Sequence, residues 1–126
     1  MPDGLIIMKY DYKSGIDIKA RYPEEELNIT EDTLMNIFSL HEFSKQAGIA
    51  SFSVGKINIA TYYTGEDMNY FVILLLDMIE NPEDYEEGLV EISEIISNNL
   101  KEEKYIAMLP SLFKLISGSP QKNNVD

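Results

Sequence analysis

The segment Tyr70–Met78, with the sequence YFVILLLDM, decides the fold of this chain. It is apolar at nearly every position over the length of one strand. A second apolar stretch, Leu5–Met8 followed by Tyr10 and Tyr12, lies near the start of the sequence. A continuous apolar run of strand length is typical of a strand that is covered on both faces. The two segments therefore predict two central strands of a sheet that carries helices on both sides.

Three further strands complete the predicted sheet. Ile16–Tyr22 alternates apolar with charged residues, which predicts a strand with one wet face near the edge of the sheet. Ile49–Val54 and Ile57–Tyr63 flank a two-residue turn that contains Gly55, and they predict a hairpin. Because strands joined by such short turns must pair antiparallel, most of the sheet is expected to be antiparallel.

A helix is predicted between the second and third strands. Apolar residues recur there at helical spacing, and the helix is expected to cover about residues 31–46. Asn28 or Thr30 can cap its start, and Gly48 is a plausible cap at its end.

Two helices are predicted to close the chain. The first begins at Asn81, with Pro82 at the first helical position, and extends to about Asn98. The second, Tyr105–Ile116, contains Pro110, which predicts a kink or a restarted helix at that point.

The predicted order of elements is β-β-α-β-β-β-α-α. This order indicates an α+β fold in which a five-stranded, antiparallel-rich sheet is sandwiched between one helix and two C-terminal helices. A length of 126 residues suits one domain, expected over residues 1–117 and followed by a flexible polar tail over residues 118–126.

Composition excludes several kinds of site. The chain has no cysteine, so it has no disulfide, no cysteine-based zinc site and no thiol nucleophile. No basic region precedes the first apolar stretch, and no apolar run reaches the roughly 18 residues of a membrane helix. A cytoplasmic protein without an integral membrane segment is the expectation.

The net charge of −12 argues against nucleic-acid partners and anionic membranes. Two interpretations of the acidic excess stay open: a solvated helix face that aids solubility, or a docking surface for a cationic partner. The residues concerned lie mostly in the second half of the chain: Asp77, Glu80, Glu83, Asp84, Glu86, Glu87, Glu91, Glu94, Glu102 and Glu103.

No catalytic motif is complete in this sequence. Residues 50–56, ASFSVGK, lack the Ser or Thr that follows the lysine of a phosphate-binding loop, and a strand rather than a helix follows. His41 is the sole histidine and falls on the apolar side of the first helix, where a packing role is expected. We therefore expect a protein without catalytic activity, cofactor or metal.

The order of elements and three stretches of the sequence resemble the longin domain, a relative of the roadblock domain in architecture. The stretches are GLIIMKYDYKSGIDI for the opening hairpin, INIATYYTGEDMNYFVILLLD for the fourth and fifth strands, and PEDYEEGLVEISEII for a closing helix. The resemblance covers about residues 4–100, and residues 105–116 would form the last helix. It implies the longin/profilin-like arrangement of the sheet already predicted.

The longin resemblance implies a non-enzymatic interaction module. Such domains serve as scaffold or regulatory subunits that pair with themselves or with another longin or roadblock protein, and that engage small Ras-like GTPases or vesicle-trafficking complexes. By position alone, the first helix and third strand would form the partner surface, with Phe38, Phe43, Ile49, Phe52 and Val54 as its candidate residues. The alternative is a small-molecule-sensing α/β module with a pocket between sheet and helices.

Overall fold

A computed structural model describes residues 2–11, 13–24, 29–41 and 46–118 of the chain. The described strands are β1 (Gly4–Asp11), β2 (Gly15–Tyr22), β3 (Gly48–Val54), β4 (Ile57–Tyr63) and β5 (Tyr70–Asp77). The described helices are α1 (Glu31–His41), α2 (Glu86–Ser97) and α3 (Lys104–Gly118), with short 3₁₀ segments at Pro82–Tyr85 and Lys101–Glu103. The element order is the one that the sequence predicts.

The five strands form one sheet in the order β2-β1-β5-β4-β3, and every neighbouring pair is antiparallel. The predicted central position of β1 and β5 is confirmed, because these two strands lie side by side in the middle of the sheet. Their register places Leu5 opposite Leu74 and Ile7 opposite Val72. The strand with the wet face, β2, lies at one margin as predicted, and β3 lies at the other.

Both faces of the central strands are buried. Successive side chains of a strand point to opposite faces, so the apolar run of β1 supplies two cores at once. Leu5 and Ile7 belong to a cluster that includes residues of α2 and α3, whereas Ile6 and Met8 belong to a second cluster that includes residues of α1. The sheet therefore lies between α1 and the pair α2–α3, which confirms the predicted α+β sandwich.

The start of α1 is capped as predicted by Thr30, whose Oγ1 accepts a hydrogen bond from the backbone N–H of Thr33 at 3.1 Å. The described part of α1 ends at His41, residues 46 and 47 are not helical, and residues 42–45, where the helix was predicted to continue, lie outside the described residues. Gly48 is not a helix cap, because it pairs with Tyr63 as the first residue of β3 and does not have a positive φ. Asn28 lies outside the described residues.

The second predicted helix start is confirmed in detail. The side chain of Asn81 accepts from the backbone N–H of Glu83, and Pro82 begins a 3₁₀ turn that continues directly into α2. A proline suits this position because the N–H that it lacks would have no partner in the first turn.

The last helix is not restarted at Pro110, and α3 continues through this residue. A proline in a helix leaves the carbonyl of the residue four positions earlier without its N–H partner. Here that residue is Ile106, which is 38% exposed, so water can reach the helix surface where the bond is missing. The irregular backbone lies earlier, at Glu102 and Glu103, where φ is 59° and 56°. Gly118 still belongs to α3, and residues 119–126 of the predicted tail lie outside the described residues.

Leu74 provides a direct test of the doubly covered centre. This side chain is fully buried in β5, so Leu74→Ala is expected to lower the free energy of unfolding by about 2–5 kcal/mol. Leu115→Ala is the matched control, because Leu115 is 44% exposed on α3 and its truncation is expected to cost less than about 1 kcal/mol. Urea denaturation followed by circular dichroism measures both, and equal losses would contradict the described core.

Candidate functional site

The two margins of the sheet differ in how well they are protected against further strand pairing. β2 carries Asp17, Lys19 and Arg21, and its pairing with β1 is interrupted by a register shift opposite Ile7 and Met8. Charged side chains and bulges are the usual devices that keep an edge strand from pairing with another chain. The β2 margin is thus protected in the ordinary way.

β3 has none of these devices. Its sequence, GIASFSV, contains no charged residue, and its seven residues pair with β4 without a register shift. No described strand lies beyond it in the sheet. A regular, uncharged edge strand is a ready template for the addition of another strand. We define the β3 edge as the outward-facing backbone of Gly48–Val54.

The hairpin geometry fixes which backbone groups of β3 are free to bind. Val54 and Ile57 flank a two-residue turn in which Gly55 has a φ of +58°, a conformation that favours glycine. The pair that flanks such a turn is hydrogen-bonded, and hydrogen-bonded pairs alternate with non-bonded ones along an antiparallel ladder. The N–H and C=O groups of Ile49, Ser51 and Ser53 therefore point away from β4, toward the open side of the sheet.

The structure divides the predicted interaction residues between the two faces of the sheet. Phe52 and Val54 pack at the margin of the core that α1 covers. Phe38 packs against the same core, and its ring stacks on Tyr10 at a ring-centroid distance of 4.2 Å. Ile49 lies on the opposite face, because it precedes Phe52 by three positions and Val54 by five, and odd offsets along a strand point to opposite faces. Phe43 lies outside the described residues. The role of all five in binding remains a prediction.

On the α2 face, Ile49 helps to form a groove of about 430 Å³ against α2. Val90 supplies the second apolar side chain, and the other lining residues are four glutamates: Glu86, Glu87, Glu91 and Glu94. We refer to this feature as the β3–α2 groove. The sequence showed the acidic run and the edge strand separately. Only the packing of α2 across the sheet places them together.

His41 connects α1 to the strands beside the β3 edge. Its Nε2 lies 2.8 Å from the Thr61 hydroxyl, and that hydroxyl donates to the carbonyl of Ala50 at 3.3 Å. Because the Thr61 proton is used in this second bond, His41 Nε2–H is the donor in the first. The ring also packs against Tyr63 and Phe71. The predicted packing role of this histidine is confirmed.

Burial lowers the pKa of His41 below its ordinary value of 6.5. In the unfolded chain this histidine takes up a proton near pH 6.5, whereas in the folded chain it does so only at lower pH. Its contribution to stability is therefore complete above pH 6.5 and is lost as the pH falls below it.

We expect the free energy of unfolding to decrease between pH 7.5 and pH 5.5, and His41→Gln to remove most of this slope. The chain has one histidine, so no other side chain of ordinary pKa titrates in this interval. Urea denaturation at half-unit steps of pH measures the effect. An unchanged slope in the variant would show that His41 is not buried in its neutral form.

A second groove, of about 490 Å³, lies between β2 and α3. Its apolar walls include Ile18, Tyr22, Ile106 and Leu109, and Arg21 lines it as well. The second cationic residue at this groove, Lys19, forms an ion pair with Asp17 at 3.2 Å. The groove therefore combines an apolar wall with the guanidinium of Arg21, and the carboxylate of Glu24 lines it too.

Metal-binding clusters and membrane-spanning helices are both absent from the described parts of the chain. No group of three or more acidic or histidine side chains there is placed to hold a metal ion. No helix in residues 2–11, 13–24, 29–41 or 46–118 is long and apolar enough to cross a membrane.

Comparison with known proteins does not assign the chain to a family. No model of a known protein family matches its sequence, and no curated protein matches it either.

Proposed function

We propose that this chain is a non-enzymatic protein-interaction module that binds its partner by extending the sheet at the β3 edge. In this proposal it is a longin-type scaffold or regulatory subunit of the cytoplasm. It pairs with a second copy or with another longin or roadblock protein, and it engages small Ras-like GTPases or trafficking complexes. The resemblance of the sequence to longin domains supports the family, and the open margin of the sheet supports the mode of binding.

The observation that carries this proposal is the contrast between the two margins of the sheet. An exposed edge favours aggregation, and native proteins normally protect it. This chain has charged residues and a bulge at β2, but an uncharged and regular strand at β3. A partner strand at β3 would form hydrogen bonds with the outward-facing backbone groups of Ile49, Ser51 and Ser53. It would also cover the half-buried Phe52 and Val54.

Backbone hydrogen exchange tests the mode of binding. In the free chain we expect the amides of Ile49, Ser51 and Ser53 to exchange fast, because they face away from β4. The amides of Ala50, Phe52 and Val54 should exchange slowly, because they bond to β4. We then add a longin protein, a roadblock protein or a small Ras-like GTPase from the same organism, the GTPase with and without a GTP analogue. The bound partner should slow exchange at Ile49, Ser51 and Ser53 selectively.

Two lysine substitutions on the edge should weaken the same complex. Ser51 and Ser53 are exposed, so Ser51→Lys together with Ser53→Lys places two charges on the edge strand and removes one side-chain hydrogen bond, from the Ser53 hydroxyl to Asn58 Oδ1. We expect an affinity loss of about tenfold or more, measured by isothermal titration calorimetry. Ser14→Lys with Ser111→Lys is the matched control, since it adds the same charge at exposed positions of a turn and of α3.

Two results would contradict the proposal. One is a compact monomer in sedimentation velocity that binds none of the GTPases, longin proteins or roadblock proteins tested. The other is a complex in which the outer amides of β3 stay unprotected and both lysine pairs bind equally well.

The groove between β2 and α3 supports a second candidate function, the sensing of a small molecule. Its volume lies in the range of ligand sites, and Arg21 can bind a carboxylate while Ile106 and Leu109 contact an apolar chain. We expect medium-chain fatty acids to raise the melting temperature of the chain by about 4 °C or more at saturating concentration. Arg21→Gln should remove this shift. A wild-type melting temperature that does not change with these acids would exclude this class of ligand.

A further inference from the structure

The β3–α2 groove indicates what kind of chain binds at the β3 edge. This inference rests on the proposed function and narrows the choice of partner left open above. The groove is lined by two apolar side chains, Ile49 and Val90, and by four glutamates: Glu86, Glu87, Glu91 and Glu94. Lysine and arginine side chains are complementary to such a groove, because their aliphatic stems can lie on apolar side chains while their charged ends contact carboxylates.

Within the described part of the chain, no lysine or arginine forms an ion pair with these carboxylates. Helix α2 contains four glutamates and no lysine or arginine in its twelve residues. Glu87 and Glu91 stand one helical turn apart, where like charges destabilise a helix. The surrounding sequence offers no relief either, because residues 57–100 contain ten acidic residues and no basic one. A cationic partner would remove this repulsion.

A second copy of the chain would add to the repulsion instead. Pairing of two β3 edges about a twofold axis brings the same surface of both copies together. Each copy would then contribute the four glutamates of α2. Among the described residues that flank β3 in the sequence, Lys56 is the only cation, and it does not line the groove. Charge complementarity thus favours a different protein over self-association.

We infer that the occupant of the β3 edge is an extended segment of another protein, with lysine or arginine at alternate positions and apolar residues between them. When such a segment pairs with β3, its alternate side chains point to opposite faces of the sheet. The cationic residues then enter the β3–α2 groove, and the apolar residues cover Phe52 and Val54 on the face of α1. Backbone hydrogen bonds to β3 hold the segment, and the glutamates of the groove select for cationic side chains.

Two synthetic peptides test this inference: a heptapeptide that alternates valine with lysine, and the same peptide with glutamate in place of lysine, both blocked at their ends. We expect the lysine peptide to protect the amides of Ile49, Ser51 and Ser53 from exchange. We also expect it to bind about tenfold or more tightly than the glutamate peptide, and less tightly as salt is raised from 50 to 500 mM.

Charge reversal in the groove should reverse this preference. Glu87→Lys with Glu91→Lys is expected to favour the glutamate peptide, because both side chains are exposed walls of the groove. Glu102→Lys with Glu103→Lys is the matched control, with the same change of net charge at exposed positions. It should keep the wild-type preference. Sedimentation velocity of the wild-type chain alone in 50 mM salt should show a monomer.

The possible outcomes separate this inference from the proposed function. Equal protection of the outer β3 amides by both peptides would overturn the inference about charge and would leave sheet extension supported. Protection by neither peptide would overturn the inference, and the proposed function would then depend on the exchange experiment with protein partners. A wild-type dimer whose outer β3 amides are protected would support sheet extension and would overturn the choice of a cationic partner, because the occupant would then be a second copy.

Discussion

The antiparallel pair of β1 and β5 is the interaction on which the rest of the structure depends. Leu5 faces Leu74 and Ile7 faces Val72 across this pair, and all four side chains are fully buried. Because both faces of the two strands are apolar, each face needs its own cover, and a single helix layer would leave one exposed to water. The positions of α1 on one side and of α2 and α3 on the other follow from this requirement.

The central pair also decides what the margins of the sheet can do. With β1 and β5 in the middle, the hairpin partners β2 and β4 must lie outside them, and β3 becomes the last strand beyond β4. The functional proposal concerns this last strand, since its outer backbone groups have no described strand to pair with. His41, Thr61 and Ala50 form a chain of hydrogen bonds that holds α1 against the strands next to this edge. These hydrogen bonds therefore help to hold the strands at this edge in place.

The position of α2 in the fold places its acidic residues next to the edge strand. Four glutamates on a solvated helix would concern solubility, which was one interpretation of the sequence. In the structure these glutamates line one groove together with Ile49 of the edge strand. A charge pattern beside an open strand can select among partners, because a like-charged segment is repelled while an oppositely charged one gains favourable contacts. Binding through the backbone and selection by charge thus meet on one side of the sheet.

The predicted strand Tyr70–Met78 was one residue too long, since β5 ends at Asp77 and Met78 is exposed. The sequence alone was nevertheless enough to determine the order of elements, the central place of β1 and β5, the wet face of β2 and the caps at Thr30 and Asn81. These features are local, since each depends on the period of the apolar residues or on the chemistry of one turn. The sequence assigned Gly48 wrongly to a helix cap, because the pairing of Gly48 with Tyr63 is a contact between distant residues. Only the tertiary structure decided that α2 brings its glutamates next to Ile49 of β3. The reason is physical: a pattern along the chain shows that a side chain is apolar or charged, but the packing of elements decides which neighbours it meets.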